Sequence, residues 1–423
     1  MRPRPSKVWN RDFLILWQGQ LVSLLGDVVY AIALGFWVLQ ATGSTALMGS
    51  LLAVTSLSRV LASPFAGVVV DRASRKALLV GMDLARGAAV LLVAAAALSG
   101  TLRVWMVFAA GIVIGLGGAV FSPAVNSVLP DIVPRDRLVQ ANASYSLIST
   151  SSGVVGNSAG GFLFQLFGAP VLFLINGLSY LVSSATLAVV RIPPHPPAPE
   201  RKRFRADLAD GVRLVGRMRG LRDTFVTAGL LNFFGVMGLT LTLPLFQRTA
   251  GLGPARYGLG MAAMMGGMLV GFLISSAVKV RPSARFGWFT ACAYIQGVGM
   301  AVFPQLGSLA AMAPIVFVAG AANAILNSYL MAVIQMSVPR AMLGKVASLL
   351  MTLSGGLIPL AMAAAGFLAE FIPIRPLMSS SFVIMMLCFT PLVRSRAFHD
   401  FITFDPARGD APGGPTDEAH AGA

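Results

Sequence analysis

The chain has 423 residues, of which 56% are apolar and only 11% charged, with a mean hydropathy of +0.78. A soluble domain carries about 25% charged residues, whereas here twelve stretches approach the roughly 20 residues needed to cross a bilayer. Soluble globular, disordered and collagen-like chains are excluded, and the spans leave no room for a separate soluble catalytic domain. The net charge of +16 would point to nucleic acid in a soluble chain; here its location matters more.

The start, MRPRPSKVWNRDF, is basic and precedes an apolar run too long for the core of a cleaved signal, so it reads as a retained first span. The predicted spans are 13–39, 46–70, 77–98, 104–128, 139–167, 171–190, 225–247, 256–278, 286–303, 309–333, 346–371 and 377–393. All are expected to be helices, because lipid offers backbone groups no partners. The class is therefore an all-α integral membrane protein with twelve transmembrane helices. The 45 glycines fit close helix approach, notably Gly153, Gly156, Gly160 and Gly161 in span five and Gly258, Gly260, Gly266, Gly267 and Gly271 in span eight. Cys292 and Cys388 stand alone in apolar runs and suggest neither a metal site nor a disulfide framework.

Orientation follows from Lys and Arg in the loops. With the amino terminus in the cytoplasm, the cytoplasmic segments hold 26 basic residues and the opposite side 4. Both termini are therefore expected inside a cell (inner or plasma) membrane, with the basic loops anchored on anionic lipid. The longest loop, 191–224, opens with a proline-rich linker. It continues with helical spacing of Phe204, Leu208, Val212, Val215 and Met218, read as a basic amphipathic helix on the membrane face or equally as a solvated linker helix. It separates two six-helix bundles, 1–190 and 225–395, and a cytoplasmic tail, 396–423, has disordered composition after Phe404. The halves repeat. Shifted by 205, residues 133–163 match nine of 31 positions without a gap, including VPR at 133–135 against 338–340 and GFL at 161–163 against 366–368. A parallel repeat of six plus six spans is a transporter arrangement.

Charges inside spans are costly and mark functional candidates. Asp27 lies midway along span one, as a proton-coupling carboxylate or as a structural one. Arg59 in span two should lie at the same depth across the first hairpin and could pair with it. Asp83 and Arg86 sit three apart on one face of span three. They lie nearer the cytoplasmic end and are read as structural partners of the 71–76 loop. In GVVVDRASRK (67–76), Gly67 would let the end of helix two pack tightly. Asp71 could meet a helix N-terminus, and Arg72, Arg75 and Lys76 suit the interface. Gln20, Asn126, Asn157, Asn232 and Asn327 are candidates for a substrate cavity; helix glue is the plainer role for these as for Gln18, Asn142 and Asn323. Met261, Met264, Met265 and Met268 could form an adaptable drug surface or simply pack against lipid. The three histidines lie outside the spans, and no phosphate loop, metal cluster or Ser-His-Asp order is visible. No enzyme activity and no cofactor are expected, and an ion gradient is the energy source.

The 67–76 string resembles the major facilitator signature between helices two and three, with Ser74 where a glycine is usual; the second-half loop, KVRPSAR (279–285), lacks the aspartate. Residues 10–27, 83–87 (DLARG) and 121–143 look like the macrolide-efflux-like branch of drug:proton antiporters, which also holds exporters of siderophores and other metabolites. The resemblance spans residues 10 to about 395. It implies the major facilitator fold, docking of Asp71 near Val346, and proton-gradient-driven export of a hydrophobic or amphipathic small molecule by alternating access. Span five resembles the glycine-rich antiporter motif but has Asn157 where a proline is common. The expected protein is a monomer whose partners are its small-molecule substrate and the bilayer, with no nucleic acid. The alternatives are a dedicated metabolite exporter, an importer of the same fold, a non-transporting receptor or scaffold, and a membrane enzyme.

Overall fold

In lipid every backbone donor must be met within its own segment, and the computed structural model of this chain meets that demand with helices. It describes residues 8–192, 213, 215, 216, 219–278, 280–338, 342, 346, 349 and 355–404; the side chains of Val68, Asp71, Arg72, Arg135, Arg219 and Pro282 lie outside that description. The elements are α1 (Arg11–Thr42), α2 (Thr45–Arg72), α3 (Arg75–Leu98), α4 (Val104–Ile132), α5 (Leu138–Val189), α6 (Arg219–Thr240), α7 (Thr242–Arg248), α8 (Pro254–Ala277), α9 (Pro282–Val302), α10 (Leu309–Ser337), α11 (Ile358–Phe371), α12 (Ile374–Arg394) and α13 (Arg396–Ile402).

The twelve expected spans are borne out. Ten helical segments are long and apolar enough to cross a membrane; α5, at 52 residues, holds two spans, and α11 supplies the far part of the eleventh. Within α5 the break falls at Gly168, whose φ of 72° and ψ of 171° suit only glycine, with Pro170 just beyond it. Span seven is interrupted between α6 and α7, where Pro244 cannot donate a hydrogen bond to the Thr240 carbonyl. Gly43 ends α1 in the left-handed conformation, its N–H on the Leu39 carbonyl.

The chain packs as two compact units: Met1–Pro199 with Thr240–Ala262 and Met362–Phe371, and Glu200–Leu239 with Ala263–Ala361 and Ile372–Ala423. Two stretches of the second half thus pack within the first unit. In the first unit, α1 runs chiefly along α5, α3 along α5, and α2 along α4. Its near end, where α1 begins, closes over Phe13, Leu79, Val128 and Leu129. There Asn10 caps α1 and donates through Nδ2 to the Ile132 carbonyl at 2.8 Å. In the second unit, Leu221, Phe225, Phe289 and Ile334 form a core with Phe398 and Phe401 of α13, an element the tail's composition did not announce. Most of the expected amphipathic helix lies outside the described residues; Val215 is buried in this same core.

Candidate functional site

An apolar span with a polar stripe needs something to bond the stripe. The second part of α5 has one: Asn176, Ser179, Tyr180 and Ser183 recur at helical spacing. Glycines bring α1 against it. A Cβ on Gly26 would stand 2.5 Å from Asn176 Oδ1, and one on Gly19 2.5 Å from Thr186 Oγ1. From the other side α3 closes in at Gly177, where a Cβ would stand 2.6 Å from Leu91. Three helices thus meet around one cluster of charge.

Asp83 of α3 is fully enclosed and pairs with Arg86, itself 5% exposed. Ser183 Oγ donates to Asp83 Oδ2 at 2.6 Å and accepts from Gln20 Nε2 at 3.3 Å. The Arg86 guanidinium lies between two rings, 4.5 Å from the centroids of both Phe121 and Tyr180. The Tyr180 hydroxyl donates to Asp27 Oδ1. Two loose ends remain: Arg86 Nε and Asn176 Nδ2 are buried without a partner. The cluster therefore sets two carboxyl groups, Asp27 and Asp83, around one guanidinium. Asp83 is compensated by Arg86 in direct contact, whereas Asp27 is in contact with no cation among the described residues, and Arg86 and Arg59 act on it only through space.

The expected partnership of Asp27 with Arg59 is corrected. Asp27 and Arg59 form no ion pair; the exposed Arg59 side chain lies along α4, its guanidinium 3.0 Å from where a Cβ on Gly118 would be. The hairpin argument required α1 and α2 to face each other, but α1 packs on α5 and α2 on α4. Asp83 and Arg86 bond each other, and Asp83 also accepts from Ser183; among the described residues neither bonds the 71–76 loop that was expected to hold them. Among the described residues, nothing stands within 4 Å of where a Cβ on Gly67 would be. Asp71 and Arg72 end α2, and their side chains, with the expected docking near Val346, lie outside the described residues. Arg75 bonds Asp131 Oδ2 at 2.7 Å and the Ser127 carbonyl at 3.0 Å, tying the start of α3 to the end of α4. Lys76 is half-buried beside it.

Of the cavity candidates, Gln20 is 2% exposed and serves the buried cluster instead. Asn157 donates to the Gly153 carbonyl one turn back, and Asn327 to the Asn323 carbonyl, so both bond within their own helices. Asn126 is exposed on α4 and Asn232 half-buried on α6. The sequence reading missed Tyr180, Ser183 and Asn176. Their signal was the stripe in FLINGLSYLVSS (173–184), which has helical spacing in an otherwise apolar run.

Comparison with known proteins agrees with this architecture. The model of the Major Facilitator Superfamily matches residues 16–362. Macrolide efflux protein A of Streptococcus pyogenes is 26% identical over 305 residues, 71% of this chain and 75% of the relative. Multidrug resistance protein MdtG of Serratia proteamaculans is 29% identical over 201 residues, 45% of this chain and 47% of that protein. Among solved structures, a bacterial homologue of the iron transporter ferroportin, in an inward-facing state, superposes with a TM-score of 0.68 at 15% identity, covering 91% of this chain and 99% of the other. The nucleoside transporter NupG gives 0.66 at 12%, covering 94% and 100%. With twelve spans, an internal repeat and a matching family model over most of its length, this chain belongs to the Major Facilitator Superfamily of transporters.

Proposed function

We propose that the protein is a secondary active exporter of a hydrophobic or amphipathic small molecule, of the macrolide or drug-like class, driven by inward proton flow. The observation that carries this reading is the buried cluster in which Asp83 pairs with Arg86 while Asp27, bonded by the Tyr180 hydroxyl, stands without an ion-pair partner among the described residues. A receptor or scaffold gains nothing from a carboxylate inside a span without an ion-pair partner, whereas an antiporter needs a group that binds a proton in one conformation and releases it in another. Asp27 is the proton-exchanging member: it is half-buried and bonded by the Tyr180 hydroxyl, while Asp83 is enclosed and held by Arg86 and Ser183. The macrolide-efflux and multidrug relatives support the substrate class and the outward direction.

The test is accumulation of erythromycin, as the macrolide probe, in cells lacking other pumps, with and without a protonophore. Expression should lower accumulation, the protonophore should abolish the difference, and Asp27→Asn should behave as if the protonophore were present. Export that survives both the protonophore and Asp27→Asn would refute the proton role. No change in accumulation of the macrolide or of a lipophilic cation dye would refute the substrate class.

A further inference from the structure

The two second-half stretches inside the first unit, 240–262 and 362–371, meet the first half along two seams at its far end, away from the start of α1. At one seam α11 lies on α2: a Cβ on Gly366 would stand 2.5 Å from the Thr45 carbonyl oxygen, and one on Gly49 2.7 Å from Gly366 Cα. At the other, α8 lies on α5: a Cβ on Gly161 would overlap the Pro254 carbonyl, and one on Gly258 the Ser158 carbonyl. The seams are repeats of one another. Gly161 and Gly366 are the 205-residue mates of the sequence repeat, and Gly49 and Gly258 lie 209 apart.

The same symmetry holds for a pair of bonds. Glu370 on α11 accepts through Oε1 from the Ala46 N–H at 2.8 Å, the Ser44 hydroxyl at 2.8 Å and the Thr45 hydroxyl at 3.0 Å, capping the N-terminus of α2 from another helix. Its repeat mate is Gln165 on α5, whose Oε1 accepts from the Ala255 N–H at 3.2 Å, the matching position of α8. Arg248 adds a bond to the Gly43 carbonyl at 2.5 Å. Behind the α5–α8 seam, Phe36 stacks on Phe164 at 5.2 Å and meets Tyr257 edge-on at 5.5 Å.

We propose that Glu370 and Gln165 are the paired latches of the far-end gate, and that Glu370 is the dominant one. A transporter that alternates access must part these helices. The glycine seams allow backbone contact but carry no directional bond between side chains, so the carboxamide and carboxylate set the closed register. Glu370 holds three donors with a charged acceptor, and Gln165 holds one with a neutral acceptor. Charge-assisted bonds are roughly twice as strong as neutral ones, so the α2–α11 side is the firmer of the two.

The inference needs only that the chain is an alternating-access transporter. Its test therefore uses distances and no substrate or proton gradient, which separates its failure from that of the export reading. In full-length protein with Cys292 and Cys388 changed to alanine, spin labels at Ala41→Cys and Phe371→Cys report one seam, and labels at Leu166→Cys and Ala250→Cys the other. Glu370→Ala should raise the long-distance population at the first seam by about tenfold, the equivalent of one to two net hydrogen bonds. Gln165→Ala should shift the second seam less, and Glu370→Gln, which keeps the acceptor oxygen but loses the charge, should fall between the unmodified chain and Glu370→Ala. Gly366→Leu, a steric wedge, should widen the first seam whatever occupies position 370. If Glu370→Ala fails to fold, Ser44→Ala with Thr45→Val removes two of the three donors and should widen the same seam. A first seam that the wedge opens but Glu370→Ala or the donor pair does not would reduce Glu370 to a helix cap. A seam that even the wedge leaves unchanged would show that this is not where the molecule opens.

Discussion

Removing Arg86 tests the arrangement of the buried cluster directly. Arg86→Ala leaves Asp83, with no solvent exposure, supported by the Ser183 hydroxyl alone. Breaking a buried pair from one side costs about 3–5 kcal/mol, and the two ring contacts at 4.5 Å add about 1 kcal/mol each. Protonation of Asp83 recovers part of this, so a net loss of about 3–5 kcal/mol is expected. The double change Asp83→Leu with Arg86→Met removes both charges at similar volume. It should fall within about 2 kcal/mol of the unmodified protein, the main loss being the acceptor for Ser183. The measurement is unfolding of purified protein in mixed micelles, across the full cycle of single and double variants. A coupling energy above about 2 kcal/mol is expected. If Arg86→Ala is as stable as the unmodified chain, or if the double change costs the sum of the singles, the pair does not hold the cluster and the reasoning fails.

Three further outcomes can be checked independently. Tyr180→Phe removes the donor to Asp27 with little change in shape; proton-driven export should weaken while downhill substrate exchange persists, and equal loss of both would make Tyr180 merely structural. A Cβ on Gly267 would overlap the Phe317 carbonyl, backbone against backbone, whereas Gly153 faces open space. Gly267→Ala should therefore lose about 1–3 kcal/mol and Gly153→Ala should be neutral or gain up to about 1 kcal/mol from helix propensity, both read as thermal stability in detergent. Single cysteines at Ser6, Ala198 and Ala411 should resist an impermeant thiol reagent in intact cells, as the basic-loop bias requires; labelling of Ala198→Cys from outside would reverse the topology.

Relatives named for macrolide efflux give the export reading its direction, and the geometry gives it a candidate engine. The cluster couples helices α1, α3 and α5 through Asp27, Arg86 and Tyr180. A change in protonation there acts on the packing of three spans at once. The latch residues lie at the far end of the same unit, so the two features invite separate tests of coupling and of closure.

The sequence by itself determined the spans, because twenty apolar residues in lipid have no stable alternative to a helix. It also determined the repeat, since VPR and GFL recur at one offset, and it marked Asp27, Asp83 and Arg86 as the charges to explain. Which charge meets which was decided only by tertiary structure. Position along a span gives depth but not azimuth, and neighbours in the chain need not be neighbours in the bundle. Arg59 shares a hairpin with Asp27 yet lies along α4, while Tyr180, 153 residues away, supplies the bond. Glu370 drew no attention in the sequence; only packing set its carboxylate over the first turn of α2. Helix order and glycine contacts, which depend on the whole fold, choose the partners of a charge that the sequence can only locate.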